Sequence, residues 1–333
     1  LMSLQLPQIE GSVTTRRSAS VESSVYELMR RIFRLSSYEE PVRQMIRQFS
    51  LLSPLGMDRE PFRQLIGWDN DKDFRVVLLR LRDLHLVSID PRTAHISMHP
   101  VLADVAAADL NPDADNCSVM IANAVRYFDE DSAQRYDARH LEQVSAMCKR
   151  CVMVLIGQKS DIDPGVSEII PVTVRLSLVV SGIDYRLGNY GSASFWAEQA
   201  LKELGGWNSL EPHTPESSTD RRALVKDRAE ALKCAARAYA KLGEYDTACE
   251  YYEKELGLLP EDMESELAVA LNDYGVLLEE MGRFEESLDC LTKAWEIQQD
   301  LFGPDSPETI STCNNLGLIS TDMGDNEAAE MFY

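Results

Sequence analysis

Three spacings in this 333-residue chain place reactive or recognising side chains together. Cys148 and Cys151 stand three apart, as two thiolates of a zinc site do. A structural zinc needs four ligands, and neither a second cysteine pair nor a nearby His-x3-His completes the set. Two packed thiols at i, i+3 on a helix satisfy the spacing equally, so no metal is expected. Asn272 and Asn314 recur at one position of an internal repeat. An asparagine amide both donates and accepts, so it suits an extended peptide backbone; a solvated helix face is the plainer alternative. Lys233 and Arg237, at i, i+4, make a basic spot that could hold a carboxylate or pair with nearby acids such as Glu230.

Missing motifs are equally informative. The chain has no G-x-x-x-x-G-K-[ST] to cradle a phosphate, no G-x-S-x-G elbow and no H-E-x-x-H. No cysteine or histidine sits in a recognisable nucleophile context. By itself the chain is expected not to be an enzyme, nor to hydrolyse ATP.

The elements that position these residues begin with charge. Residues 1–110 hold 14 Lys+Arg and 14 Asp+Glu, so the whole net charge of −22 falls on 111–333. An acidic body repels nucleic acid and anionic lipid and favours basic partners; it also keeps a helical scaffold in solution. The seven cysteines lack a paired framework, which suits a reducing cytoplasm, and no apolar run is long enough to cross a membrane. The chain does not begin with Met and stops at Met331-Phe332-Tyr333 inside a helical pattern. A piece of a longer protein is therefore expected.

Internal repeats dominate the second half. Gly188, Gly243, Gly282 and Gly324 each read as the turn of a helical hairpin. Seven residues earlier stand Ser181, Ala236, Gly275 and Gly317; five later, Ala193, Ala248, Ser287 and Ala329; nine later, Ala197, Tyr252, Leu291 and Tyr333. Small residues at both crossing positions let two helices approach, and larger ones fill the space toward the next hairpin. Pro260 ends the hairpin centred on Gly243. The pattern resembles that of tetratricopeptide (TPR) repeats, whose period is about 34. Here the glycine spacings are 55, 39 and 42. The run from Leu301-Phe302-Gly303-Pro304 to Pro307-Glu308-Thr309, followed by Asn314-Asn315-Leu316-Gly317, resembles the longer repeats of kinesin light chains. The resemblance is strong over 223–333 and weaker over 171–205, where Asp184 stands in the usual tyrosine position. Residues 205–222, rich in Gly, Ser, Thr and Pro, read as an inserted loop. Stacked hairpins form a solenoid whose first helices line the concave side. That geometry predicts a protein- or peptide-binding groove of Tyr185, Lys233, Arg237, Asn272, Glu279, Asn314 and Leu318.

The head reads differently. Val42, Met45, Ile46 and Phe49 share a helix face. A turn at Ser53-Pro54-Leu55-Gly56 precedes a short helix with Asp58 as N-cap and Phe62, Leu65, Ile66 and Trp68 as its apolar residues. A third helix is expected from Asp71 to about His85. Residues 86–90 and 94–98 alternate like strands around Pro91-Arg92. Three helices and a hairpin make a winged helix. Its third helix could enter DNA, but 41–110 hold nine Lys+Arg and nine Asp+Glu, so nucleic acid is not the expected partner.

Phe49 to Gly56, Leu78 to Ile89 and Met98-His99-Pro100-Val101-Leu102 together resemble the winged-helix domain of STAND (NB-ARC-type) signalling ATPases. The resemblance covers about 20–110. It implies that Met98-His99 stands in for a Met-His-Asp motif, in which the histidine reaches the phosphate of bound ADP. Pro100 replaces the acid here. It implies ADP or ATP in the full-length protein, held by a nucleotide-binding domain that this chain lacks.

The expected architecture is mainly α, a winged helix followed by an α-solenoid of TPR hairpins. Residues 1–40 would be the remnant of a preceding helical domain, 41–110 the winged helix, 111–170 linking helices with an atypical hairpin (apolar-periodic over Val119 to Phe128 and Leu141 to Ile156), and 171–333 TPR repeats, the last truncated. The expected function is the regulatory and sensor region of a STAND-type ATPase, cytoplasmic, with a peptide or protein trigger on the repeats. The alternatives are a transcription regulator with a DNA-binding winged helix, or a TPR adaptor.

Overall fold

The computed structural model describes residues 27–52, 55–113, 115–126, 137–158, 169–205 and 218–333. The expectations placed on residues 1–26, Ser53, Pro54, Phe128 and 206–217 lie outside them. The chain is mainly α and divides into two compact units, Leu1–Asn123 and Ala124–Tyr333.

In the first unit a helix over 27–33 (α1) leads through a 3-10 turn, Leu35–Ser37, into α2 (Glu40–Ser50). Pro41 sits in the first turn of α2, where its missing N–H costs nothing. Then come β1 (Met57–Asp58), α3 (Arg59–Leu65), α4 (Asp71–Asp83), β2 (Ser88–Ile89), β3 (His95–Ser97) and α5 (Pro100–Leu110). α6 (Ser118–Arg126) follows. The strands form an antiparallel sheet of order β1-β3-β2, with Met57 opposite Ile96 and Ser88 opposite Ser97. β1 has only two residues, too few to alternate visibly, and is not foreseen from sequence. Phe49, Phe62 and Phe74 from α2, α3 and α4 meet in the core, with centroids 4.6 and 6.4 Å apart. Asn70 caps α4 by accepting from the Lys72 and Asp73 N–H groups. The cap expected at α3 is corrected: Asp58 makes no side-chain cap there, because its carboxylate takes Nδ1 of His95 at 2.9 Å.

The second unit is a run of antiparallel helices. They are α7 (Ala138–Gln158), α8 (Ile169–Arg186), α9 (Tyr190–Glu203), α10 (Ser218–Leu242), α11 (Tyr245–Leu258), α12 (Glu264–Glu280), α13 (Phe284–Phe302), α14 (Pro307–Asp322) and α15 (Asn326–Phe332). Each packs on the next, and first helices of successive hairpins also touch, α8 with α10 and α12 with α14. The four turn glycines take φ between +75° and +80°, a conformation that only glycine enters without strain. The crossing positions meet as their spacing implies. Ser181 donates to the Ala193 carbonyl at 2.8 Å, and Ser287 to the Gly275 carbonyl at 2.7 Å. Among the larger residues, Tyr252 and Leu291 are buried, whereas Tyr333 is exposed.

Candidate functional site

The predicted groove residues lie on α8, α10, α12 and α14, the first helices of four hairpins. A chain of contacts runs through them. Tyr185 meets Tyr190 edge-on at 5.4 Å, and the Arg237 guanidinium lies 4.8 Å from the Tyr185 ring centroid. On the far side Arg237 faces Asp273, which neighbours Asn272. Asn272 then accepts from Asn315 Nδ2 at 2.9 Å and Thr312 Oγ1 at 3.1 Å, both on α14. The first helices of four hairpins are thereby laced together.

This geometry selects among the expected roles. Of the two left open for Lys233, pairing with Glu230 is the one present, at 2.6 Å. Burial pulls its ammonium down, but Glu230 and Glu255 more than offset that and leave it above the ordinary lysine range. The Asn272 oxygen, expected to meet a peptide, is occupied within the protein. Asn314 has the same repeat position and is exposed. Asn315, one residue on and about 100° around the helix, is the one that reaches Asn272. Leu318 is 47% exposed. Glu279 is half-buried beside Asp322, and burial first, then the Asp322 carboxylate, raises its carboxyl.

Beneath this face Glu230, Glu255 and Asp273 face Lys233 and Arg237. Glu255 is 3% exposed and its Oε2 has no hydrogen-bond partner. Burial, against the opposing pull of Lys233, pushes its carboxyl up to about 8. Sequence reasoning missed Glu255, Asp273, Thr312 and Asn315. It also missed Glu198, which accepts from Tyr239 and Tyr251 at 2.6 and 3.0 Å while their rings stack. The repeat pattern singles out neither tyrosine, and their shared acceptor lies on another helix.

In the first unit His99 is the exposed N-cap of α5, and its Nδ1 accepts from the Val101 N–H at 3.3 Å. The outward basic residues of α4 are largely tied: Arg75 to Asp71 at 2.7 Å, Arg82 to Asp83 at 2.8 Å and Arg80 to Glu39 at 3.4 Å. Cys148 and Cys151 are buried and not joined in a disulfide, and no metal-binding group appears among the described residues. No helix among them is long and apolar enough to cross a membrane.

Residues 231–267 and 266–333 match families described as tetratricopeptide repeat. The chain thus carries TPR repeats, a scaffold class that mediates protein–protein interaction. No curated protein matches the chain. Among solved structures it is similar to BtubC (BKLC) from P. vanneervenii, at 20% identity and a TM-score of 0.46, covering 58% of this chain and 70% of that one. A putative kinesin light chain from Podospora anserina with nearly identical TPR-like repeats shows 16% identity and a TM-score of 0.44, covering 63% and 92%. A STAND protein with a tetratricopeptide repeat sensor from Pyrococcus horikoshii shows 13% identity and a TM-score of 0.39; the alignment covers 97% of this chain and 46% of that one.

Proposed function

We propose that this chain is the regulatory and sensor region of a STAND-type signal-transduction ATPase. In this reading the repeats bind a peptide or protein trigger on the face of their first helices. A winged helix over 41–110 holds the nucleotide-bound closed state of a nucleotide-binding domain outside this chain. Trigger and nucleotide then bias one two-state equilibrium from two sites. The element order helix, strand, helix, helix, strand, strand and the sheet order β1-β3-β2 support the winged-helix part.

The observation that carries the sensor role is the cap made by His99. Because Nδ1 accepts the Val101 N–H, the neutral ring must carry its proton on Nε2. That leaves an exposed N–H donor at the start of a helix, which fits one phosphate oxygen of ADP or ATP. The residues that would hold the rest of the nucleotide are not in this chain, which has no phosphate-cradling loop and is itself no enzyme in this reading. A cytoplasmic setting fits seven cysteines outside any disulfide. The salt-bridged α4 argues against the DNA-binding alternative.

The test is ADP binding, by calorimetry, to the protein carrying its nucleotide-binding domain and to its His99→Ala variant. Loss of one hydrogen bond to a charged group predicts about tenfold weaker binding. No binding by either protein would leave a plain TPR adaptor.

A further inference from the structure

His95 on β3 meets an acceptor at each ring nitrogen. Nδ1 lies 2.9 Å from Oδ1 of Asp58 on β1, and Nε2 lies 2.6 Å from the Leu55 carbonyl oxygen in the turn before β1. A backbone carbonyl only accepts, and so does a carboxylate. A ring that satisfies both must donate from both nitrogens, which only the imidazolium does. The neutral ring has one N–H. Kept on Nδ1 for Asp58, it leaves the Nε2 lone pair against the Leu55 oxygen. Kept on Nε2 for Leu55, it leaves the Nδ1 lone pair against the carboxylate. Either tautomer loses one of the two contacts.

The elements around the ring carry few other charges. β1 pairs Met57 and Asp58 with β3, and α3 begins with the base Arg59, whose backbone N–H donates to the Ala94 carbonyl at 3.2 Å. β2 pairs Ser88 and Ile89 with β3, and neither titrates. Just beyond it stands Asp90, whose N–H donates to the His95 carbonyl at 2.8 Å and whose carboxyl feels the ring charge. The turn itself is pressed against β3. A Cβ on Gly56 would stand 2.3 Å from the Ile96 oxygen and 2.7 Å from His95 Nε2. β1 has only two residues, and the Leu55 side chain, 62% exposed, buries little. The ring therefore joins the turn, β1 and β3 at the place where the sheet is shortest.

We propose that His95 is a pH-sensitive latch: its imidazolium fastens the turn before β1 to β3, and loss of one ring proton to solvent opens the turn at Leu55 and Gly56. The latch is independent of the sensor reading of His99. Asp58→Asn separates the contact from the charge. An asparagine amide donates as well as accepts, so a neutral ring can accept from it at Nδ1 and still donate from Nε2 to Leu55. That variant should stay latched whatever the pH.

The test uses the full chain, with histidine isotope-labelled at the ring nitrogens and read by NMR. The His95 signals are identified by their loss in His95→Gln. Both ring nitrogens should carry protons at about pH 5.5, and only one at about pH 8.5. Hydrogen exchange over residues 55–59 is followed by mass spectrometry and corrected for the intrinsic effect of pH. It should be about tenfold faster at the higher pH, the loss of one hydrogen bond to a charged group. Exchange over α4 (Asp71–Asp83) is the reference for the fold of this unit and should not change. In Asp58→Asn the tenfold change should vanish with the turn still protected, and in His95→Gln exchange should not depend on pH. A single ring proton at about pH 5.5, or equal protection of the turn at both pH values, overturns the latch. So does the same loosening in Asp58→Asn, or a loosening of α4 by the same factor, which would mark general unfolding.

Discussion

Lys149 Nζ on α7 lies 2.7 Å from Oδ2 of Asp184 on α8, whose side chain is 2% exposed. Asp184 also accepts from Ser145 at 2.7 Å and from Ser192, so one buried carboxylate ties α7, α8 and α9 together. It occupies the position where the repeat pattern has tyrosine. The departure from pattern thus serves a helix that the neighbouring hairpin requires.

Removing the base alone should leave that carboxylate buried and uncompensated. Lys149→Met is expected to cost about 3 kcal/mol in thermal or urea unfolding. Asp184→Asn should cost less, since Lys149 is a third exposed and can turn to water. In the double variant Lys149→Met/Asp184→Asn most of the loss should return, and a simple sum of the single effects would refute the coupling.

Glu255 sets a pH dependence. Its folded-state carboxyl is raised from 4.5 to about 8, so the folded state holds a proton that the unfolded state releases earlier. Stability is therefore greatest below about 4.5, as far as this group is concerned, and is lost as pH rises toward 8. The slope is at most about 1.4 kcal/mol per pH unit. Glu255→Gln should flatten the decline in melting temperature between pH 6 and pH 8, and an unchanged slope would assign it to other groups.

Two helical glycines should respond to alanine with opposite sign. A Cβ on Gly275 would stand 2.8 Å from Leu291 Cγ at the crossing of α12 and α13, and overpacking there should cost about 1–3 kcal/mol. A Cβ on Gly257 in α11 meets nothing within 4 Å, so alanine should stabilise by about 0.5–1 kcal/mol. Equilibrium urea unfolding of the two variants decides it.

Burial pushes the thiols of Cys148 and Cys234 up to about 12. Thiolates are the reactive species, so brief iodoacetamide treatment of the native protein should leave both unlabelled by mass spectrometry, with labelling restored in denaturant. A chelator should leave the melting temperature unchanged, and a drop would restore the metal reading of Cys148-x-x-Cys151.

The sequence by itself determined the helical class and the repeat register. Both are local: a glycine that ends a helix at positive φ, a small residue seven before it and another five after follow from the geometry of one hairpin. The faces of α2 and α4 were legible for the same reason, through their 3.6-residue period. Tertiary structure decided what most of the polar side chains do, because the partners of Asn272 and Asp184 lie on other helices, 40 or 43 residues away for Asn272 and 35 for Asp184. Helical spacing leaves Lys233 either a ligand carboxylate or Glu230, and the fold shows the Glu230 pair. Asn272 reads as a free amide until α14 brings Thr312 and Asn315 to it, and Asp184 reads as a broken repeat until α7 supplies Lys149. Periodicity specifies which face a residue occupies; only packing between hairpins specifies whether that face is already satisfied.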